Sequence, residues 1–516
     1  MTQLTTVPSD GSMPEKTHSE IMFIMVALLL VLLLAALDQT IVSTALPRIA
    51  TDLHGLNKLS WVATAYLLTS AVTTPIYGKI SDLFGRKKVF QFAIIIFLAG
   101  SMLCGISQSM DQLVVARALQ GIGAGGLMSL VLAIVGDVVP PRQRGKYMGY
   151  FGAVFGLSSV AGPLLGGFLT DSLSWRWIFF VNLPLGIVAL SAVTSRLHLP
   201  VYKQSHKIDY LGAGLLSAGS ACLLLGTVWG GTAYAWASAQ IIGLFSAGII
   251  FALAFVVCEH WATQPIIPLR LFRNDIFTVS VLLSLLSGIA MFASILYIPL
   301  YQQVVRGYSP TKSGLLMLPL VIGLLATSII AGRFMSKWGR YKVFPLIGTL
   351  VLAAGLWLFS HLTLTTSEWV VALWMVVVGM GLGSFMQVMT LAIQNAVDRK
   401  DLGTATASAT FFRSMGASLG GALFGAVLTN RLTYHLLELV PAGSGIAKLN
   451  INSIQTSGTQ ADSIPPAVAH TVLEAFVRSF HDMFLLAIPF ALLAFVVALF
   501  LRETPLRDHA PQSVSE

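Results

Sequence analysis

Charge is what this 516-residue chain has least of: Asp, Glu, Lys and Arg together make up 10% of it, against about a quarter in a soluble globular domain. With 55% hydrophobic residues and a mean hydropathy of +0.80, the composition excludes a soluble fold and gives an all-α polytopic membrane protein. Cysteine is scarce too. Cys104, Cys222 and Cys258 lie in or at the edge of apolar runs, so neither a disulfide framework nor a metal site is expected. The ten histidines fall in tails, loops or span ends, and no GxSG or HExxH occurs, which removes the equipment of an intramembrane enzyme. No Walker motif is present, so ATP is not the energy source. A filter loop or a ring of like charge, which a passive channel needs, is also missing. The first twenty residues carry three acids and one Lys, which is not the basic region of a cleaved signal. The net charge of +9 would suit nucleic acid, but the basic residues sit in short clusters between apolar runs, the pattern of cytoplasmic loops. No nucleic-acid partner is expected.

What is there is a series of apolar windows about 20 residues long, each able to cross a bilayer. They lie near 22–46, 60–78, 89–107, 111–138, 147–170, 177–196, 209–230, 238–259, 276–298, 312–334, 343–361, 369–393, 403–429 and 480–501, which makes about fourteen with both ends on one side. Roughly 21 of the 31 Lys and Arg fall on the side that carries the termini, so the positive-inside rule puts both termini in the cytoplasm. The segment 430–478 is the longest external loop, and its final amphipathic run, Ala467 to Phe480, is expected to lie on the membrane surface.

An internal repeat organises these spans. Gly78-Lys-Ile-Ser-Asp82-Leu-Phe-Gly85-Arg86-Lys-Lys88 follows the second span and returns after the tenth as Gly332-Arg-Phe-Met-Ser336-Lys-Trp-Gly339-Arg340-Tyr-Lys342. Two copies imply two halves. Eight spans rather than six separate the copies, so a pair is inserted between them. The expected division is a tail (1–21), a six-helix bundle (22–196), an inserted pair with its linker (197–260), a second bundle (261–502) and a tail (503–516).

One carboxylate lies deep within a span. Asp38 stands at or just beyond the middle of the first window, where an acid costs about 2.5 to 3.5 kcal/mol, and such a residue reads as functional with a partner to be found. Arg117, about six residues inside the external end of the fourth window, has a compatible depth. An Arg within about 4 to 6 Å favours the charged form of a carboxylate; the pair suits proton coupling or, equally, a static ion pair. In the loop repeat, Gly78 and Gly85 permit a tight turn, Asp82 and Arg86 can pair across a helix end, and Asp137 ends the fourth span beside them. A solvated basic loop is the alternative there. Ser336 replaces Asp82 in the second copy, so the two copies are expected to act asymmetrically.

Six stretches carry a resemblance: LDQTIVSTALP (37–47), GKISDLFGRKK (78–88), RALQGIGAGG (117–126), GPLLGG (162–167), WRWIFFVNLPLG (175–186) and PLYQQVVRGYSPTKSGLLMLP (299–319). In this order and at these spans, the chain resembles the fourteen-span drug:proton antiporters of the major facilitator superfamily. The resemblance implies two six-helix bundles plus an inserted helix pair. It also implies proton-coupled export of lipophilic drugs or other toxic small molecules, with no cofactor and the proton motive force as energy source. It assigns Asp38 and Arg117 to proton coupling, and Gly78, Asp82, Gly85, Arg86 and Asp137 to a latch between the halves. Gly156, Gly162, Pro163, Gly166 and Gly167 match the exporters' glycine-rich fifth span, which should pack closely and bend at Pro163. Tyr66, Phe155, Tyr297, Tyr301 and Arg413 are candidates for a cargo cavity, although ordinary packing suits each of the aromatics. Arg413 has no acid within a span of its own half, since Asp275, Glu368, Asp398 and Asp401 fall at span ends, and Gln387, Gln394 or Asn395 could satisfy it instead. Thr64 stands where relatives that export dications carry a further acid, which favours neutral or monocationic cargo. A functional monomer in the cell's inner (plasma) membrane is expected, and a dedicated exporter of one physiological solute is the open alternative.

Overall fold

The computed structural model describes residues 18–55, 58–197, 208–231, 233–439 and 466–506. Among the described residues the chain is helical, with one isolated bridge, Gly230 to Tyr234, and no sheet. In chain order the helices are α1 (His18–Asp52), α2 (Leu59–Phe84), α3 (Arg86–Ile106), α4 (Met110–Val138), α5 (Pro141–Ser172), α6 (Trp177–Phe180), α7 (Asn182–Arg196), α8 (Tyr210–Trp229), α9 (Ala239–Trp261), α10 (Asp275–Val304), α11 (Pro310–Leu315), α12 (Leu318–Trp338), α13 (Val343–Ser360), α14 (Glu368–Ala396), α15 (Leu402–Leu439) and α16 (Pro466–Leu499).

Thirteen of the candidate spans are apolar enough to cross a membrane on composition alone. The fourteenth expected span is α2, whose hydropathy is lowered by a polar face that nonetheless stays dry. Thr69 donates to the Ala118 carbonyl at 2.8 Å, and Thr73 and Thr74 donate to Ile122 and Gly125 at 3.3 and 3.4 Å, so the hydroxyls are spent on α4. Small residues and such cross-helix hydrogen bonds bring helices together where lipid offers no hydrophobic drive.

Helices α1 to α7 pack as one half and α10 to α16 as the other, each around its own buried core. The halves meet along α2 with α15 and α5 with α12. Backbone meets backbone at Gly145 and Gly332, where a Cβ on Gly145 would lie 2.6 Å from the Gly332 carbonyl oxygen, so only glycine fits. Helices α8 and α9 pair with each other, and α8 lies against α2 and α15. Ala71, Leu216, Leu224 and Phe411 form the apolar contact there, and the Thr227 and Ser418 hydroxyls meet at 3.2 Å.

Two elements differ from the sequence expectation. The span at 177–196 is broken between Phe180 and Asn182. Pro184 has no N–H with which to continue the ladder, and the Phe179 carbonyl accepts from the Ser101 hydroxyl at 2.9 Å. The run Ala467 to Phe480 is not a separate surface segment but the first part of the continuous helix α16. Its apolar face packs on its own half: Phe476 and Phe480 are buried and Phe480 meets Tyr301 edge-on at 5.8 Å. Helix α15 likewise runs on to Leu439, so the middle of the expected 430–478 loop is what lies outside the described residues.

The α8 to α15 contact is open to a direct check. In a chain with its three native cysteines replaced, Thr227→Cys with Ser418→Cys should cross-link on mild oxidation. A failure to cross-link, with the same pair reactive after unfolding, would contradict this placement of the inserted pair.

Candidate functional site

Asp38 is fully buried, and the helices around it were each shaped to reach it. Arg117 and Gln120 stand one turn apart on α4, and Asn182 starts α7 at the break enforced near Pro184. Arg117 Nη1 donates to Asp38 Oδ2 at 2.7 Å, while Gln120 Nε2 and Asn182 Nδ2 both donate to Oδ1 at 2.8 Å. The guanidinium is itself held: Nη1 also donates to Gln120 Oε1 at 2.7 Å, Nε donates to the Val62 carbonyl at 3.2 Å, and the Tyr66 ring lies 4.1 Å away over its face. Ser101 Oγ, 3.0 Å from Asn182 Nδ2, closes the network. Asp38, Gln120 and Asn182 are 0% exposed and Arg117 2%. A buried pair repays its desolvation only when the remaining donors and acceptors are also met, and this one meets them from three helices. It is also sealed, so any proton exchange at Asp38 requires the helices to part.

A second cluster lies at the opposite end of the same helices, on the side of the basic loops. Gly85, at φ +93°, turns the chain from α2 into α3, which sets Asp82 beside Arg86. Arg86 pairs with Asp82 at 2.5 Å and with Asp137 at 2.8 Å. Asp82 also reaches across to the other half, accepting from the Gly403 and Thr404 amides at 3.2 and 2.7 Å and from the Thr404 hydroxyl at 2.7 Å. It therefore caps the N-terminus of α15, whose free amides and dipole favour a carboxylate. Gly78 packs onto Gly403 and Ala407. Arg399 donates to the Asp137 carbonyl at 3.3 Å, Arg144 to Gln394 Oε1 at 3.3 Å, Gln394 Nε2 to the Leu132 carbonyl at 3.0 Å, and Arg142 to the Ser336 carbonyl at 3.1 Å. These bonds shut this end of the molecule between the halves.

The second loop copy works differently. Gly339 turns the chain at φ +70°, but Ser336 offers only its carbonyl, and the carboxylate comes from Glu503, which accepts from the Tyr341 amide at 2.9 Å. The start of the C-terminal tail is thus docked onto the second half.

The remaining candidates separate. On α5, which is helical throughout and passes Pro163 without a break, Gly162 and Gly166 pack on Thr40 and Thr44 of α1, Gly156 packs on Val321 of α12, and Gly167 has no neighbour within 4 Å. Phe155 is exposed on the same helix. Tyr66 is committed to Arg117. Tyr297 and Tyr301 are buried, and their hydroxyls donate to the Gly421 and Thr363 carbonyls at 2.9 and 2.8 Å, so they pack the second half. Arg413 is half-buried and receives neither Gln394 nor Asn395, which bond to Thr406 and Thr504 instead.

Sequence reasoning did not find Gln120, Asn182, Thr404, Arg144 or Arg399. Gln120 and Asn182 lie inside quoted motifs, and the usable signal was that a buried carboxylate needs more than one donor.

The latch can be tested by removing its cross-half acceptor. Asp82→Ala should leave the Arg86 pair with Asp137 but strip α15 of its cap, at a cost of about 1 kcal/mol or more to the shut arrangement. Spin labels at the basic ends of α2 and α15 should then report a new population at longer distance. An unchanged distance distribution would contradict the latch.

Known proteins resemble this chain in sequence and fold. Residues 28–421 match the Major Facilitator Superfamily. The chain is 39% identical to an uncharacterized MFS-type transporter of Mycobacterium tuberculosis over 98% of this chain and 72% of the relative. It is 38% identical to multidrug resistance protein 3 of Bacillus subtilis over 95% and 96% of the two chains. Among solved structures, the MFS proton:xylose symporter XylE superposes with a TM-score of 0.61 at 15% identity, covering 96% of this chain and 98% of that one. On the profile, the relatives and the shared fold, the chain belongs to the major facilitator superfamily and is a multi-pass membrane transporter.

Proposed function

We propose that the protein is a proton-coupled antiporter of the cell's inner membrane, which exports lipophilic small molecules by alternating access. The observation that carries this reading is the sealed Asp38 cluster: one deep carboxylate, matched by one guanidinium, in a site that has to open before a proton can enter or leave. The name of the Bacillus subtilis relative supports an exported drug-like cargo.

In the proposed cycle the basic loops face the cytoplasm, so the shut latch corresponds to a cavity that opens outward. Once the helices around Asp38 part towards the acidic outside, it takes a proton, which cancels its charge and loosens its hold on Arg117. The halves rock about α2–α15 and α5–α12, the Asp82 cap on α15 is released, and the cavity opens to the cytoplasm. There cargo entry and proton release exchange, because a deprotonated Asp38 again binds Arg117. One proton moving through one pH unit and 100 mV releases about 3.7 kcal/mol, enough to hold a neutral cargo gradient of several hundredfold. No bound cofactor takes part in this scheme, and a single copy of the chain contains every group it uses.

Asp38→Asn is the direct test. It keeps a side chain of nearly the same shape but cannot carry the proton, so inverted vesicles should lose export driven by a pH difference while retaining downhill cargo exchange. A growth-inhibition panel comparing wild type with Asp38→Asn identifies the cargo. Wild-type pH-driven transport by Asp38→Asn would overturn the proposal.

A further inference from the structure

Arg413 differs from the other deep charges in having no counterpart. Asp38 is matched by Arg117, Asp82 and Asp137 share Arg86, and Asp401 pairs with Arg270 at 2.9 Å. Arg413 has no ion pair and no hydrogen bond among the described residues, and no charged group acts on it.

Its depth follows from α10. The Arg413 carbonyl lies directly against Gly288, thirteen residues from the start of α10 at Asp275, which is about 20 Å along a helix axis. That is past the middle of a hydrocarbon core about 30 Å thick. Helix α15 is flanked by α2, α4, α8, α10, α14 and α16, and the Arg413 side chain is half-buried among them. Register adds a second polar group. Gln394 Nε2 on α14 donates to Thr406 Oγ1 on α15 at 3.3 Å. Two turns further from the basic end, the same faces of these antiparallel helices carry Gln387 and Arg413, both half-buried.

Asp38 and Arg117 cancel each other, and Arg413 is left with neither an opposite charge nor a neutral acceptor among the described residues. An isolated ion is expensive at that depth, and a guanidinium presents a fork that fits a carboxylate or another planar oxyanion. We propose that Arg413, with Gln387 beside it, anchors an acidic group on the cargo, so that the transported class is lipophilic monoanions. This rests on the transporter reading above and replaces the neutral or monocationic cargo expected from Thr64. It also has a driving-force consequence: a proton moving in and an anion moving out carry charge in the same sense, so the membrane potential assists the exchange twice.

The test uses the full-length protein in phosphatidylcholine nanodiscs and two probes, a dansylated fatty acid and its methyl ester. Wild type should bind the acid about tenfold more tightly than the ester, as a charge-assisted hydrogen bond warrants. Arg413→Gln should abolish that preference with ester binding unchanged, Arg413→Lys should retain part of it, and Gln387→Leu should reduce it a fewfold. Equal binding of acid and ester by wild type, or an undiminished preference in Arg413→Gln, would overturn the proposal. If Arg413→Gln proves unstable, Gln387→Leu alone decides, and an unchanged preference there counts against the site. Transport of the ester driven by a pH difference keeps the two readings apart: if it persists in Arg413→Gln, antiport stands whatever the fate of the anion anchor.

Discussion

A charge placed in hydrocarbon has to bring its own partners, and much of this structure can be derived from how that demand is met at Asp38. The acid alone costs about 2.5 to 3.5 kcal/mol at the centre of a span. Its three donors come from α4 and α7, and each imposes a condition on the chain that supplies it: Arg117 and Gln120 at a one-turn spacing on α4, and a broken helix ahead of Asn182. The Thr-rich face of α2 then follows, because α2 must lie close enough to α4 for the Val62 carbonyl and the Tyr66 ring to hold the guanidinium.

Helix α4 carries this constraint to the other end of the molecule. Arg117 and Asp137 are twenty residues apart on it, about 30 Å along a straight helix, and α2 likewise bears Tyr66 near one cluster and Asp82 in the other. Neutralising Asp38 would remove a reason for α1, α4 and α7 to hold their present spacing. The same two rigid helices end in the groups that bind the N-terminus of α15. In the proposed cycle this shared helical frame lets a protonation event on one side of the membrane bias the latch on the other.

The fold was legible because its signals are long and redundant: apolar windows repeat, the Gly85 and Gly339 turns recur, and the spacing between them exposes the inserted pair. The pairing of Asp38 with Arg117 was legible through scarcity, since few charges were deep enough to meet. What stayed hidden was neutral or distant. Gln120 and Asn182 look like any polar residues in a span until a carboxylate is placed beside them, and Thr404 is joined to Asp82 across 322 positions of chain. The surface placement of Ala467 to Phe480 failed for a related reason. An amphipathic face marks a helix that must cover something, and Phe480 covers Tyr301 of its own half rather than the membrane surface.

The claim on which the account turns is that Asp38 itself carries the exchanged proton. Proton release on cargo addition, measured in weakly buffered solution with purified protein, tests it most directly. Wild type should release about one proton per cargo bound, and Asp38→Asn should bind cargo with no release. Equal release by the two proteins would mean that another group carries the proton and would contradict the account.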